Sequence, residues 1–270
     1  MNMKKMTLKP PSPRLLLTVI SLIAILSPTL GVAAQGAPRW NTKTAAVQTG
    51  NDVSWPQCGK TLPKGQLFSI VGVNDGLANN TNPCLSTELS WANTSTGTTT
   101  QPKAALYVST ANPGNLGVAD WPTSGTNAYG TCAGGDDRAC AYQYGWNMAQ
   151  ADALNRGVPN GTNYKWWLDV ETVNSWEINT ANNVADLEGM TAYLESVGST
   201  VGVYSTGYQW DKIAGAVNSS SNLYALTDWL PGARSLSGAQ SNCRLTPLTA
   251  GGQVVVTQYV SSKIDYDYAC

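Results

Sequence analysis

Histidine is missing from all 270 residues, and its absence removes whole classes of chemistry. No Ser-His-Asp or Cys-His nucleophile, and no His-ligated zinc or haem, can be assembled from this chain. Acid/base work falls to carboxylates, Tyr or Lys. Charge is sparse as well: Asp, Glu, Lys and Arg make up 12% of the chain, as 16 basic and 17 acidic residues. Lys4, Lys5, Lys9 and Arg14 precede residue 35 and no acid does, so the remainder carries a net charge of −5. A nucleic-acid or anionic-membrane binder needs a basic patch, which this balance does not supply; a neutral polymer suits it better. Long hydrophobic runs are lacking too, since the candidate at residues 15–26 falls short of the roughly 20 residues of a spanning helix.

That short run nevertheless has a context. It follows a basic start, is broken by Ser27-Pro28 and is followed by small residues ending in Val32-Ala33-Ala34, the layout of a secretory signal cleaved after Ala34. Six cysteines, at 58, 84, 132, 140, 243 and 270, form an even set without CxxC spacing, so three disulfides are expected and no metal site. Proximity alone favours Cys58 with Cys84, Cys132 with Cys140 and Cys243 with Cys270. Residues 35–50 are polar and aperiodic and read as a tether; residues 51–270 read as one domain.

Within it, residues 52–55, 67–73, 104–109, 166–171, 201–205, 223–227 and 254–259 are short, mostly apolar and bounded by turn formers, as strands are. Val184, Leu187, Met190, Leu194 and Val197 recur at helical steps, as do Tyr144, Met148, Ala151 and Leu154, with Asn183 placed to cap the first of these helices. Strand and helix alternating over this length predict a single α/β domain, a (β/α) TIM-like barrel that turns irregular toward its C-terminal end.

The chemistry concentrates in Trp166-Trp167-Leu168-Asp169-Val170-Glu171-Thr172. Alternation puts Trp166, Leu168 and Val170 on one face, toward the helices, and Trp167, Asp169 and Glu171 on the other. The two carboxylates lie about 7 Å apart at Cα, at the strand end where barrels keep their sites. Paired acids beside an aromatic suit glycosidic cleavage: Glu171 as general acid, Asp169 as the ionised partner, Trp167 as a sugar platform. Asp52, Asp75, Asp265 and Asp267 fall at other expected strand ends, with Tyr204, Gln258 and Tyr259 nearby.

The order of these segments resembles glycoside hydrolase family 25, the lysozyme-like muramidases. Asp52-Val53-Ser54 with Gln57 is similar to the family's opening D-V-S, Leu168-Asp169-Val170-Glu171 to its L-D-V-E strand, Val203-Tyr204-Ser205-Thr206 to its Y-S strand, and Thr257-Gln258-Tyr259 with Asp265-Tyr266-Asp267 to its closing W-Q-Y and D-x-D. The resemblance implies an irregular barrel of five helices and three closing strands. It also implies Glu171 as general acid, with Asp169, Asp52 and Asp265 or Asp267 lining the cleft. Together with the strand-end reading, catalysis is expected from Glu171, Asp169 and Asp52, and substrate binding from Asp75, Trp167, Tyr204, Gln258, Tyr259, Asp265 and Asp267. A polysaccharide partner such as peptidoglycan, no cofactor, no nucleic acid, no membrane once the signal is gone, and a secreted monomer complete the expectation. The alternative is a non-catalytic glycan-binding protein on the same fold, holding glycan with Trp121, Trp146, Trp167 or Trp176. The chain departs from the family at Val73-Asn74-Asp75-Gly76, at Thr257 in place of Trp, and in a long insertion running to Arg138.

Overall fold

The computed structural model describes residues 48–116, 118–262 and 264–270. The expected signal (1–34) and residues 35–47 of the expected tether lie outside the described residues. Residues 49 and 50 of that tether are strand, because β1 (Thr49–Val53) starts there. There follow β2 (Ser69–Gly72), α1 (Leu85–Ala92), β3 (Ala104–Ser109), the hairpin β4 (Thr126–Asn127) and β5 (Gly130–Thr131), α2 (Arg138–Asn155), β6 (Lys165–Asp169), α3 (Thr180–Ser196), β7 (Thr200–Tyr204), α4 (Gly207–Ile213), β8 (Thr227–Ala233), α5 (Leu236–Asn242), β9 (Gln253–Ser261) and β10 (Ile264–Ala269).

Eight strands close a barrel in the order β1-β10-β9-β8-β7-β6-β3-β2. Neighbours from β1 through β2, β3, β6, β7 and β8 to β9 run parallel, whereas β10 pairs antiparallel with both β9 and β1. The expected irregular barrel is thus observed, with five α-helices among the described residues and α5 packed on β9 through the Thr257 hydroxyl, which donates to the Ala239 carbonyl.

Strand alternation divides the core in two. Phe68, Ile70, Ala105, Trp167, Trp229, Val256 and Ala269 fill the barrel, while Trp166, Leu168 and Val170 join Leu106, Val203, Leu187, Met190 and Leu194 between barrel and helices. Gly202 leaves room for Trp167, since a Cβ there would run into the indole ring. The insertion packs as a satellite on α2, with Trp121 against Tyr144 at 5.3 Å between ring centroids.

All three expected disulfides form: Cys58–Cys84, Cys132–Cys140 and Cys243–Cys270. Two sequence expectations fail. Residues 223–225 are turn and 226 is irregular, not strand: Leu223 and Leu226 are buried in the outer core, and Ser221 Oγ accepts the Leu223 N–H. The strand lies one step on, in β8, where Pro231-Gly232 accompanies a register shift and masks the pattern. Asn183 does not cap α3; Asn179 does, accepting from the Ala181 N–H. Asn183 is buried instead, donating to the carbonyls of Glu177 and Ile213.

Candidate active site

Parallel strands that close into a barrel bring their C-terminal ends to one rim. At that rim a pocket of about 270 Å³ is lined by Asp52 from β1, Tyr107 from β3, Asp169 from β6, Glu171 just beyond it, Tyr204 from β7, Trp229 from β8, Gln258 from β9 and Asp265 from β10. Register sets the level: Asp169 pairs with Tyr204 and Tyr204 with Trp229 around the barrel, while Asp52 pairs with Asp265. Antiparallel β10 presents Asp265 at its start, where a parallel strand would present its end.

A hydrogen-bond chain crosses the site. The Tyr204 hydroxyl donates to Gln258 Oε1 at 3.0 Å, and Gln258 Nε2 donates to Asp52 Oδ2 at 2.9 Å. Trp229 Nε1 donates to Asp267 Oδ1 at 2.9 Å, and its ring meets Tyr204 edge-on at 4.4 Å between centroids. Lys and Arg are absent from the lining, so like charges crowd in a desolvated space and their protons are held tightly. Burial, then the Asp265 charge, pushes Asp52 up to about 7 against the Gln258 hydrogen bond. Asp169 is raised well above the ordinary carboxylate value by burial, then by Glu171 and Asp52. Asp267 is raised strongly by burial and by Asp52, and Asp265 is raised by burial. The Tyr204 and Tyr107 hydroxyls are likewise pushed up, first by burial.

The sequence had Asp169 as the ionised partner; desolvation and the neighbouring Glu171 and Asp52 carboxylates favour its neutral form instead. Its Oδ1 is buried without a hydrogen-bond partner among the described residues. Trp167 is not a sugar platform: it is fully buried in the barrel interior, edge-on to Trp229 at 5.9 Å and capped by Lys165 Nζ at 4.1 Å. Tyr259 is not in the pocket lining, because its strand neighbour Gln258 takes the inward position; its ring stacks on Tyr266 at 5.2 Å. Asp75 also lies outside the lining, in the loop after β2, where Asn80 bonds its backbone N–H and carbonyl. Asp267 is fully buried and acts on the pocket through Trp229 and Asp52.

Two lining residues escaped the sequence reading. Tyr107 was legible in principle, since alternation along the expected strand at 104–109 puts it on the same face as Ala105. Gly72 makes its place, because a Cβ there would strike the Tyr107 ring. Trp229 was missed because the strand was expected to stop at residue 227.

A mostly parallel barrel with acids gathered at its C-terminal mouth defines the (β/α)-barrel class with its site at the strand ends. The family model described as Lysozyme-like protein 1 matches residues 147–230, the stretch that carries Asp169, Glu171, Tyr204 and Trp229. The probable GH family 25 lysozyme 4 of Dictyostelium discoideum is 40% identical over 55 residues, 20% of this chain and 25% of that protein. Lysozyme-like protein 5 of Caenorhabditis elegans is 41% identical over 49 residues, 18% of this chain and 22% of that protein. The matches thus span about a quarter of these relatives' length. The structure of a family GH25 lysozyme from Aspergillus fumigatus superposes with a TM-score of 0.55 at 14% identity, covering 83% of this chain and 94% of that one. A muramidase from Trichobolus zukalii gives 0.50 at 16% identity over 82% and 93%. Residues 147–230 are thus similar to a lysozyme-like family, and the fold as a whole is that of the glycoside hydrolase family 25 barrel.

Proposed function

We propose that this protein is a secreted glycoside hydrolase that cleaves cell-wall glycan, with muramic-acid-containing peptidoglycan as its substrate. The observation that carries the reading is the gathering of Asp52, Asp169 and Asp265, from three strands remote in sequence, and of Glu171, two residues beyond Asp169, into one pocket with Tyr204 and Gln258. Buried like charges cost stability, and such arrangements concentrate at functional sites. Three disulfides support an oxidising compartment, in keeping with the expected signal at residues 1–34.

In this mechanism Glu171, the more exposed acid at the rim, gives its proton to the glycosidic oxygen as the bond to the anomeric carbon breaks. The bonding electrons leave with that oxygen. Positive charge develops on the sugar ring, and Asp52, which ionises near neutrality, stabilises it. Water then adds to the anomeric carbon and returns a proton to Glu171. Neutral Asp169 donates a hydrogen bond to a substrate hydroxyl, and Trp229 with Tyr204 supplies the apolar wall. The glycan-binding alternative is less well supported, because Trp121 and Trp167 are buried, Trp146 packs edge-on against Tyr193, and the Trp176 indole N–H is spent on the Glu171 carbonyl. Incubating the purified mature domain with peptidoglycan and analysing new reducing ends tests the proposal: release of muramic-acid ends is expected. Binding without cleavage across pH 4 to 8 would overturn it.

A further inference from the structure

We infer that Gln209 is the positioning residue of Glu171, orienting the carboxyl so that one chosen oxygen carries and releases the proton. The inference rests on the hydrolase reading above and concerns a residue that neither the sequence motifs nor the pocket lining singled out.

A glutamine amide has one accepting oxygen and one donating nitrogen, and its neighbours decide which faces which way. The Thr172 backbone N–H donates to Gln209 Oε1 at 2.7 Å, and the Thr172 hydroxyl lies 3.1 Å from the same oxygen. With Oε1 committed to Thr172, Nε2 is the atom turned to Glu171, and it lies 3.4 Å from Oε1 of that carboxylate. The same amide thus grips residue 172 by its main chain and residue 171 by its side chain.

Gln209 is itself held. Its backbone N–H donates to the Thr206 side chain that caps α4, at 3.1 Å. Ser205 Oγ, one residue before that cap, donates to the Val170 carbonyl at 2.7 Å and ties the end of β7 to the end of β6. On its other side, the Glu171 carbonyl accepts from Trp176 Nε1 at 2.9 Å. Glu171 is therefore held at its main chain, with Oε1 of its carboxyl turned to the Gln209 amide.

An N–H donated to Oε1 disfavours a proton on that oxygen, so the transferable proton sits on Oε2. A general acid works when its proton lies on the line to the leaving oxygen, and preset orientation removes the search for that line.

The test compares wild type, Gln209→Glu and Gln209→Met on two substrates. One is the natural glycan, whose sugar leaving group needs protonation. The other is an aryl glycoside of the same sugar with an acidic phenol, which needs little. Gln209→Glu keeps an acceptor for Thr172 and loses the N–H toward Glu171, whereas Gln209→Met loses both at similar length. On the glycan, kcat should fall about tenfold or more in both variants with KM within about twofold. On the aryl glycoside the loss should be several-fold smaller. Thermal unfolding certifies each variant, and Gln209→Met stands by the same criteria if Gln209→Glu does not fold. Unchanged kcat on the glycan, or equal losses on both substrates, would overturn the positioning role while leaving the hydrolase reading intact. A wild-type domain that cleaves neither substrate overturns both.

Discussion

The two ends of the barrel interior bury charge in opposite ways. At the C-terminal mouth, Asp52, Asp169 and Asp265 line one pocket with Glu171 and without a cation. At the N-terminal end, Lys165 sits alone but answered: its Nζ donates to Thr227 Oγ1 at 2.7 Å, lies over the Trp167 ring and feels the Asp228 charge. Trp167 and Trp229 lie between them as a hydrophobic layer. The lower end looks like folding chemistry, where a buried charge is matched. The mouth gathers acids with no cation in its lining, so their protons are held, an arrangement that concentrates at functional sites.

The sharpest way to break this contrast is Glu171→Gln, which keeps shape and removes the transferable proton. Turnover of peptidoglycan should fall about a thousandfold, with thermal stability nearly unchanged. Turnover within tenfold of wild type would make the mouth another structural feature. Next in size is the Cys243–Cys270 bridge, which anchors the chain's last residue beyond the lower end of β10 across a separation of 27 residues. Replacing both cysteines by Ser should cost about 3 to 4 kcal/mol by the loop-entropy relation, read from denaturant unfolding. The activity of the still-folded fraction should be largely kept.

Lys165→Met probes the lower end alone. Loss of the ring and hydroxyl contacts should cost about 1 kcal/mol, with kcat within about twofold of wild type. A large loss of activity would connect the two ends. A different lever on the same contrast is pH, read through stability. Asp52 at the mouth, like Asp152 and Asp228 elsewhere, has its pKa raised to about 7, so the folded chain holds protons that the unfolded chain releases from about pH 4 upward. Their contribution is full below pH 4 and is lost as pH rises through about 7. Lys165, lowered to about 8 by burial, acts in the opposite sense, because its penalty is relieved as pH climbs from 8 toward 10.5. Thermal midpoints should therefore fall between pH 5 and 8. In Lys165→Met the alkaline relief should disappear while that fall remains.

Much of the site was legible before any fold was known. The period of two along 166–171 separated Trp166, Leu168 and Val170 from Trp167 and Asp169, and the barrel keeps that separation. What misled was the assumption that facing inward means facing substrate. Trp167 faces inward but lies two residues below Asp169 along β6, far enough down to be floor. Tyr259 shares an expected strand with Gln258, yet one step of alternation separates the pocket from the outer surface. Trp229 stayed hidden because Pro231 and Gly232 look like a turn, whereas here they accompany a register shift within β8.

The sequence by itself determined what is local: the faces of β6, most of the helical stripe of α3, and cysteine pairs that followed proximity along the chain, whereas Leu154 of the expected α2 stripe is exposed. These follow from chain geometry, in which a side chain's direction depends on its immediate neighbours. The tertiary structure decided depth and field. Whether Asp169 is ionised, whether Trp167 sees solvent, and which amide turns its N–H toward Glu171 depend on β1, β7, β10 and α4, which lie far away in sequence. Desolvation and Coulomb interactions act across space and not along the chain, so these properties came into being only when the barrel closed.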